Sequence, residues 1–269
     1  MNLKKADYER YKAYSEYSFS SSEFKKLDYI VESIQKLSAG ASMHLLDLGC
    51  GNGNVSTVLA SFGHDVLGID MSEDCIRYAT SLKSKYCLKN CNFQLGNASD
   101  VQRLGRSFDA VICSEVLEHA YEPISILFAA HAVLKQDGIL IVTVPNGYGP
   151  FEVSNKLWGL IPKNKHIARL CMSLKYRLSR EANVQSVNTS GEGSQHVQFF
   201  TKKRLYRLFE TTGFKIINSR SSDFISGIIP FHHVIRKSAL LCRIDFALAD
   251  VLPSAVVSGW YFTLRKSDY

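Results

Sequence analysis

The segment from Asp47 to Gly53, Asp-Leu-Gly-Cys-Gly-Asn-Gly, has the residue types and spacing of a ligand-binding turn. Glycines let the backbone bend tightly and approach a ligand, and a helix that begins beyond the turn offers free N–H groups. Glycine-rich turns of this kind bind many different nucleotides, so this one alone is weak evidence for any particular ligand. Asp47 favours one class of ligand over another, because a carboxylate repels a dinucleotide's pyrophosphate and attracts a cationic amino acid. The third glycine also comes one residue early for G-x-G-x-x-G, which disfavours an NAD dehydrogenase.

A second group of reactive side chains, Glu115, Glu118 and His119, follows a later apolar run. If a helical turn begins there, spacings of three and four place the three side chains on one face. His119 would then be a general base that removes a proton from a hydroxyl, because imidazole titrates near neutrality and a carboxylate can orient it. Alternatively, these residues and His196 bind a divalent ion that lowers the pKa of the hydroxyl. A third interpretation is that the segment only caps a helix and supports the pocket.

Short apolar runs position both groups. The runs HLLDLG, DVLGID, CNFQLGNA, FDAVICSE and GILIVTVP lack polar alternation, and helical patterns separate them. Strands buried on both faces with helical crossovers predict a parallel, doubly wound sheet, whose ligands bind at the carboxyl ends of the strands. Asp70 ends the second run, where an acidic residue accepts hydrogen bonds from ribose hydroxyls. The runs FKIINSR and VVSGWYFTLRK bring the predicted strands to seven.

Helical periodicity supplies the other layer of this α/β fold. One predicted helix precedes the first strand and has an apolar face at Phe24, Leu27, Ile30, Val31 and Ile34. Tyrosines before that helix, such as Tyr11 and Tyr14, either pack against it or form a lid over a ligand. The helices are predicted at residues 22–37, 54–62, 73–86, 124–134 and 201–212.

Four motifs in order resemble those of the class I S-adenosylmethionine (SAM)-dependent methyltransferases, over about residues 44–145. LDLGCGNGN is similar to their first motif, GID to the acidic end of their second strand, FDAVICSEVLEH to their fourth-strand motif and LKQDGILIVTVPN to their fifth. The resemblance is specifically to the ubiquinone-biosynthesis O-methyltransferase type. It implies a Rossmann-like, seven-stranded sheet, mostly parallel with an antiparallel last strand.

The resemblance also implies which residues contact SAM. Residues of the glycine turn would contact the methionine part, Asp70 and Met71 the ribose and adenine, Asn97 and Ala98 the adenine edge, and Ser114 the middle of the cofactor. Many relatives carry Asp where this chain has Asn97, whose amide oxygen can still accept from an adenine amino group; a local Asx turn is the structural alternative. The full set is Asp47, Gly49, Cys50, Gly51, Asn54, Asp70, Met71, Asn97, Ala98 and Ser114.

The metal interpretation has support from the same resemblance. Ubiquinone-pathway O-methyltransferases and small-RNA 2'-O-methyltransferases have a Glu-x-x-Glu-His segment at this position and a later His. This chain matches with Glu115, Glu118, His119 and His196. Mixed carboxylate and imidazole ligands suit Mg, Mn or Zn. General base, pocket support and metal site all remain open at this point.

Composition and charge restrict the class of protein. Residues 1–150 carry 14 Lys and Arg against 17 Asp and Glu, a net −3, whereas residues 151–269 carry 18 against 8, a net +10. A basic half faces either an anionic partner or only solvent. Seven cysteines without a C-x-x-C pair argue against a disulfide framework or a structural zinc site and favour reduced thiols in the cytoplasm. A polar, charged N-terminus argues against a signal peptide.

The acceptor is the least determined feature. We expect one methyltransferase domain over residues 1–269: a helical cap at 1–40, a cofactor-binding core at 41–145, an acceptor-side insertion at 146–200 and a closing part at 201–269. The insertion contains a basic run, from Lys163 to Arg180, that could rest on an anionic membrane, bind RNA or remain solvated. The leading hypothesis is O-methylation of a small or lipid-linked metabolite of glycan or quinone type. RNA 2'-O-methylation, less favoured without an RNA-binding module, and a non-catalytic scaffold are the alternatives; the oligomeric state is left open.

Overall fold

The computed structural model describes residues 5–16, 21–150, 196–225, 235 and 238–267. The chain builds an α/β fold around one sheet of seven strands, in the spatial order β3-β2-β1-β4-β5-β7-β6. The strands are β1 (His44–Leu48), β2 (Asp65–Asp70), β3 (Cys91–Leu95), β4 (Phe108–Ser114), β5 (Leu134–Pro145), β6 (Phe214–Ser221) and β7 (Gly259–Lys266).

The first five strands are parallel, and β7 runs antiparallel to both β5 and β6. The strand order reverses between β1 and β4, so the carboxyl ends of these two strands flank the switch point where ligands bind in doubly wound folds. The glycine turn follows β1, and the Glu115 segment follows β4. The predicted sheet, including its antiparallel last strand, is confirmed.

Seven α-helices lie in the described residues, and five of them begin and end within two residues of the helices predicted from periodicity. Glycine at positive φ precedes the third helix, whereas the hydroxyl of Ser72 caps the fourth. The helices are α1 (Lys5–Tyr14), α2 (Ser21–Ser38), α3 (Asn54–Ser61), α4 (Glu73–Lys85), α5 (Pro123–Val133), α6 (Lys202–Thr211) and α7 (Ala239–Val251).

Two hydrophobic clusters, one on each face of the sheet, form the core. The predicted apolar face of α2 is confirmed, since the five residues assigned to it from the sequence are all buried. Tyr11 of α1 is also buried and stacks on Phe24, and Tyr14 packs against Tyr86. These two tyrosines therefore belong to the packed core, which favours packing over the lid interpretation.

The fifth strand starts four residues earlier than its apolar run indicates, because Leu134 already pairs with Phe108 before an irregularity in the register.

The basic run from Lys163 to Arg180 lies outside the described residues. No helix in the described part of the chain is long and apolar enough to span a bilayer.

Candidate active site

The glycine turn joins β1 to α3 through left-handed backbone. Gly49, Gly51 and Gly53 have φ of 65°, 50° and 79°, values that residues with a Cβ adopt at a cost. The Gly51 N–H donates to Asp70 Oδ2 at 2.8 Å, and the Ser72 N–H donates to Asp70 Oδ1 at 2.8 Å. Asp70 therefore ties the turn to the end of β2, and each of its oxygens retains a lone pair that can accept from a ribose hydroxyl.

Asp47 lies beneath the turn with its side chain almost fully buried. Its Oδ2 accepts a 2.6 Å hydrogen bond from Ser56 Oγ. Burial raises the pKa of Asp47 to about 7, the Ser56 hydrogen bond opposes that rise, and the charge of Asp70 adds to it. A cation placed next to Asp47 would favour its ionised form, since an opposite charge lowers the pKa of a carboxyl group.

The residues predicted to hold the adenine lie at the ends of β2 and β3. Asp70 pairs in register with Leu95, which brings Met71 and Asn97 to the same edge of the sheet. Met71 is 80% exposed. Asn97 Oδ1 accepts from both the N–H and the hydroxyl of Ser99 at 3.0 Å, so the Asx turn is present. The side-chain NH₂ of Asn97 remains the group that a base could contact.

The acidic segment after β4 does not form the helical face that its spacing predicts. Glu115 has a φ of 57°, in the left-handed region, and the helical part is a single 3-10 turn over Leu117–His119. Thr143 of β5 donates to Glu115 Oε1 at 2.9 Å and also bonds to Ser114 Oγ at 2.9 Å. The sharp turn, rather than a helix, directs these side chains toward one pocket.

The distant His196 reaches the same place through backbone pairing. The N–H groups of Val197 and Gln198 both donate to the carbonyl of Glu118, at 2.9 and 3.0 Å. This holds the His196 ring at 5.0 Å, centroid to centroid, from the ring of His119. The tertiary structure therefore joins residues that are 77 positions apart in the chain.

Glu118 is the least satisfied polar group in this cluster. Its side chain is 1% exposed, and neither carboxylate oxygen has a hydrogen-bond partner. Burial, reinforced by the negative charge of Glu115, raises the pKa of Glu118 well above its usual value. A buried carboxyl group without a hydrogen bond is costly, so this position favours a bound proton or a nearby cation.

Ligand atoms of Glu118, His119 and His196 lie within 4.8 Å of one another and form the one cluster suited to a metal ion among the described residues. Metal–ligand bonds of about 2.1 Å put the ligand atoms of a tetrahedral site about 3.4 Å apart, so these three groups would have to move closer together to hold an ion. Their carboxylate and imidazole groups are of the types that bind small divalent cations. Glu115, the fourth predicted ligand, lies outside this cluster and is held by Thr143.

One pocket of about 310 Å³ connects the two groups of residues, a volume within the roughly 300–1,000 Å³ typical of ligand sites. Glu23 and Lys26 of α2 also line it and were missed from the sequence. Their helix was predicted, but which of its polar residues face a ligand is a matter of tertiary packing. The lining residues are Glu23, Lys26, Asp47, Gly49, Cys50, Gly51, Asn52, Asn54, Val55, Ser114, Glu115, Glu118, His119 and His196.

Comparison with known proteins decides the family. Residues 39–213, about two thirds of the chain, match the family described as a methyltransferase domain. The chain belongs to this family. The matched region includes the glycine turn, the segment after β4 and His196, so both groups of site residues predicted from the sequence lie in the methyltransferase domain. The family predicted from the four motifs is confirmed.

Curated relatives of this methyltransferase chain include ubiquinone biosynthesis O-methyltransferases. It is 33% identical over 156 residues to the ubiquinone biosynthesis O-methyltransferase of Hydrogenovibrio crunogenus, covering 54% of this chain and 64% of that protein. The same enzyme of Coxiella burnetii is 35% identical over 128 residues, covering 46% and 54%. The chain thus matches between about half and two thirds of the length of these relatives.

Solved structures support the fold. Magnesium protoporphyrin IX methyltransferase from Synechocystis PCC 6803 with bound SAH aligns with a TM-score of 0.59 at 16% identity, covering 97% of this chain and 95% of that one. The [4+2]-cyclase SpnF aligns with a TM-score of 0.55 at 18% identity, covering 90% and 81%. A methyltransferase and a cyclase therefore share this architecture, so the reaction has to be argued from the site.

Proposed function

We propose that this chain transfers a methyl group from SAM to a hydroxyl of a small or lipid-linked metabolite, of quinone or glycan type. The observation that supports this proposal is the single pocket that runs from the glycine turn to the cluster of Glu118, His119 and His196. A nucleoside-binding turn and a hydroxyl-activating cluster in one cavity are what such a reaction requires. We also keep the proposal of one methyltransferase domain over residues 1–269.

The cofactor end of the pocket suits a zwitterionic amino acid joined to a nucleoside. Asp47 would bind the amino group, and Asp70 the ribose hydroxyls. The N-cap residue of α3, Gly53, provides no side-chain cap, so N–H groups of the first turn can bind a carboxylate. Lys26 lines the same pocket and adds a positive charge there. When bound, SAM supplies a methyl carbon on a positively charged sulfur, which is an electrophile with a good leaving group.

The acceptor end suits a hydroxyl that must lose its proton. Alignment of the nucleophile with the methyl carbon provides much of the rate in such a transfer, and a hydroxyl gains further from deprotonation. Glu118, His119 and His196 would hold a divalent ion of the Mg, Mn or Zn type. A metal ion held at this cluster would lower the pKa of a bound hydroxyl.

Two further observations support an oxygen acceptor. The relatives named above are O-methyltransferases by description. The carboxylate of Glu118 has no hydrogen bond and is buried beside two imidazoles, whereas transfer to a soft nucleophile such as a thiolate does not require a group of this kind. General-base catalysis by His119 alone is the competing mechanism, and the metal experiment below separates the two.

Calorimetry with SAM and SAH tests the cofactor half of the proposal. We expect saturable binding by the wild-type chain and a loss of at least about tenfold in affinity, or about 1.4 kcal/mol, in Lys26→Met. Asp137→Asn, which removes an exposed carboxylate away from the pocket, is the control and should bind like wild type. Absence of binding by the wild-type chain would favour the scaffold alternative.

Mass spectrometry of acceptors tests the other half. The panel contains a catechol, a polyprenyl-substituted phenol, a sugar with free hydroxyls and a short RNA duplex with free 3' ends. We expect a gain of one methyl group on a small or prenylated hydroxyl compound, with one SAH formed per methyl transferred. Methylation of the RNA alone would instead establish the nucleic-acid alternative.

The metal is tested on protein that has first been treated with EDTA. We expect Mn²⁺ binding detectable by calorimetry and by electron paramagnetic resonance, and its loss in His196→Ala. His64→Ala, which replaces a histidine outside the pocket, is the control. A wild-type enzyme that turns over fully after chelation and binds no Mn²⁺ would leave His119 as the general base.

A further inference from the structure

The helix α7, between β6 and β7, carries a row of exposed aliphatic side chains that the proposed reaction does not use. Because each helical residue turns by about 100°, the five side chains fall within an arc of about 100° and form one stripe. We call this the α7 stripe; it consists of Leu240, Leu241, Ile244, Leu248 and Val251. An exposed apolar row of this kind marks an interaction surface.

The opposite side of α7 is firmly attached to the domain. Asp245, Phe246 and Ala249 are buried, and Asp245 Oδ1 accepts from the Ile225 N–H at 2.6 Å. Lys25 of α2 donates to the carbonyl of Phe246 at 3.4 Å and to Asp250 Oδ1 at 3.1 Å. The stripe is therefore displayed on a helix that cannot rotate to bury it.

Two opposite charges flank the stripe on one side. Arg243 and Asp250 are seven residues apart, so they lie two turns apart on nearly the same line of the helix. Asp250 contacts Lys25 but keeps 45% of its side chain exposed, which leaves it able to bind a second cation. The midpoint of this pair falls between residues 246 and 247, and the stripe from Leu240 to Val251 has nearly the same midpoint.

We infer that the α7 stripe is a two-fold contact between two copies of this chain. In an antiparallel pair of identical helices related by a two-fold axis, a given side of one helix faces the same side of the other helix. A residue before the midpoint of one helix then lies opposite the residue that is equally far beyond the midpoint of the other. Arg243 of one copy would thus meet Asp250 of the other, twice, on either side of the apolar seam. The midpoints of the charged pair and of the stripe lie within about one residue of each other, which is close to what such a contact requires.

The flank charges also argue against a lipid surface. Helices that lie on anionic membranes carry an excess of Lys and Arg on their polar side, whereas this flank has one cation and one anion. A row of this length on one helix covers less than the roughly 800 Å² per partner of a standard interface. We therefore expect a weak dimer that dissociates at about 10–100 µM, or about 6 kcal/mol.

Sedimentation velocity over about 1 to 200 µM protein tests the inference, since the population of a dimer follows concentration by mass action. Wild type should shift from monomer to dimer, and Ile244→Glu should weaken the dimer at least about tenfold. Phe128→Glu is the matched control, because Phe128 is 50% exposed and Ile244 is 49% exposed. Arg243→Glu, which places like charges opposite each other, should weaken the dimer more than Arg243→Ala.

Four results would overturn the inference. The first is a wild-type chain that stays monomeric throughout, and the second is a dimer that Ile244→Glu leaves unchanged. The third is a monomer that binds phosphatidylglycerol vesicles through Ile244, which would assign the stripe to lipid. The fourth is a monomer whose Tm falls in Ile244→Glu but not in Phe128→Glu, which would mean that another part of this chain covers the stripe.

Discussion

Asp47 should make the apo protein less stable as the pH rises from 3.8 to about 7. Its pKa is about 7 in the folded chain against 3.8 as a free side chain. Between these values the folded state binds more protons than the unfolded state, so the free energy of unfolding falls with rising pH. A difference of about three pKa units at 1.36 kcal/mol each gives about 4 kcal/mol. That is a large share of the roughly 5–15 kcal/mol that stabilises an ordinary domain.

Asp47→Asn isolates this effect, because the amide has the shape of the carboxyl group and its oxygen can keep the hydrogen bond from Ser56. Urea denaturation of both proteins at several pH values gives the difference in free energy of unfolding. We expect this difference to move in favour of the variant, by up to about 4 kcal/mol, between pH 4 and pH 8. Asp137→Asn, measured alongside, accounts for the loss of an ordinary exposed carboxylate.

Cofactor binding supplies the second half of this test. Only ionised Asp47 attracts an ammonium group, so SAM affinity of the wild type should rise as the pH approaches 7. The binding measurement stays at pH values below the pKa of an α-amino group, about 7.7, so the amino group of SAM stays charged. Asp47→Asn should lose that rise and bind more weakly throughout. A stability difference that stays constant with pH would refute the reasoning, because it would mean that Asp47 is ionised at the same pH in the folded and unfolded chains.

Three other substitutions test the packing and charge of the site. Gly49→Ala should lower the free energy of unfolding by about 1–3 kcal/mol more than Gly105→Ala. The two glycines have φ of 65° and 61°, but only at Gly49 would a Cβ lie 2.6 Å from Val116 Cγ2. Equal losses in urea denaturation would contradict this prediction. Glu118→Gln should raise the Tm of the apo protein at pH 8, since the folded pKa of Glu118 is raised, and should abolish any rise in Tm with Mn²⁺; an unchanged Mn²⁺ response would exclude Glu118 as a ligand. Lys25→Met should change the free energy of unfolding by less than about 1 kcal/mol, because a buried ion pair gains little over an apolar replacement; a loss above about 3 kcal/mol in urea denaturation would show that the cation is essential.

The proposed chemistry and the proposed dimer meet at α2. Lys26 of this helix lines the pocket, and the adjacent Lys25 holds α7 through Asp250. A single helix therefore contacts both the cofactor end of the site and the element that bears the α7 stripe. Dimer formation is not required for methyl transfer in this arrangement, so the two proposals fail or succeed independently.

The sequence by itself determined the elements of the sheet and the family. Apolar runs of strand length and helical spacers specify a doubly wound fold because burial on both faces removes the polar alternation. The glycine turn was also recognisable, since only glycine adopts its left-handed φ values without strain. Local rules of this kind need no knowledge of distant contacts.

The tertiary structure decided which groups act together. His196 joins Glu118 only because two backbone N–H groups near it pair with the Glu118 carbonyl, and Glu115 departs from the predicted helical face because its φ is positive. Lys25 and Lys26 are identical in type and adjacent in the chain, yet one is buried against α7 and the other lines the pocket. Burial and partners of this kind arise from how helices pack on the sheet, and no local pattern of residue types contains that information.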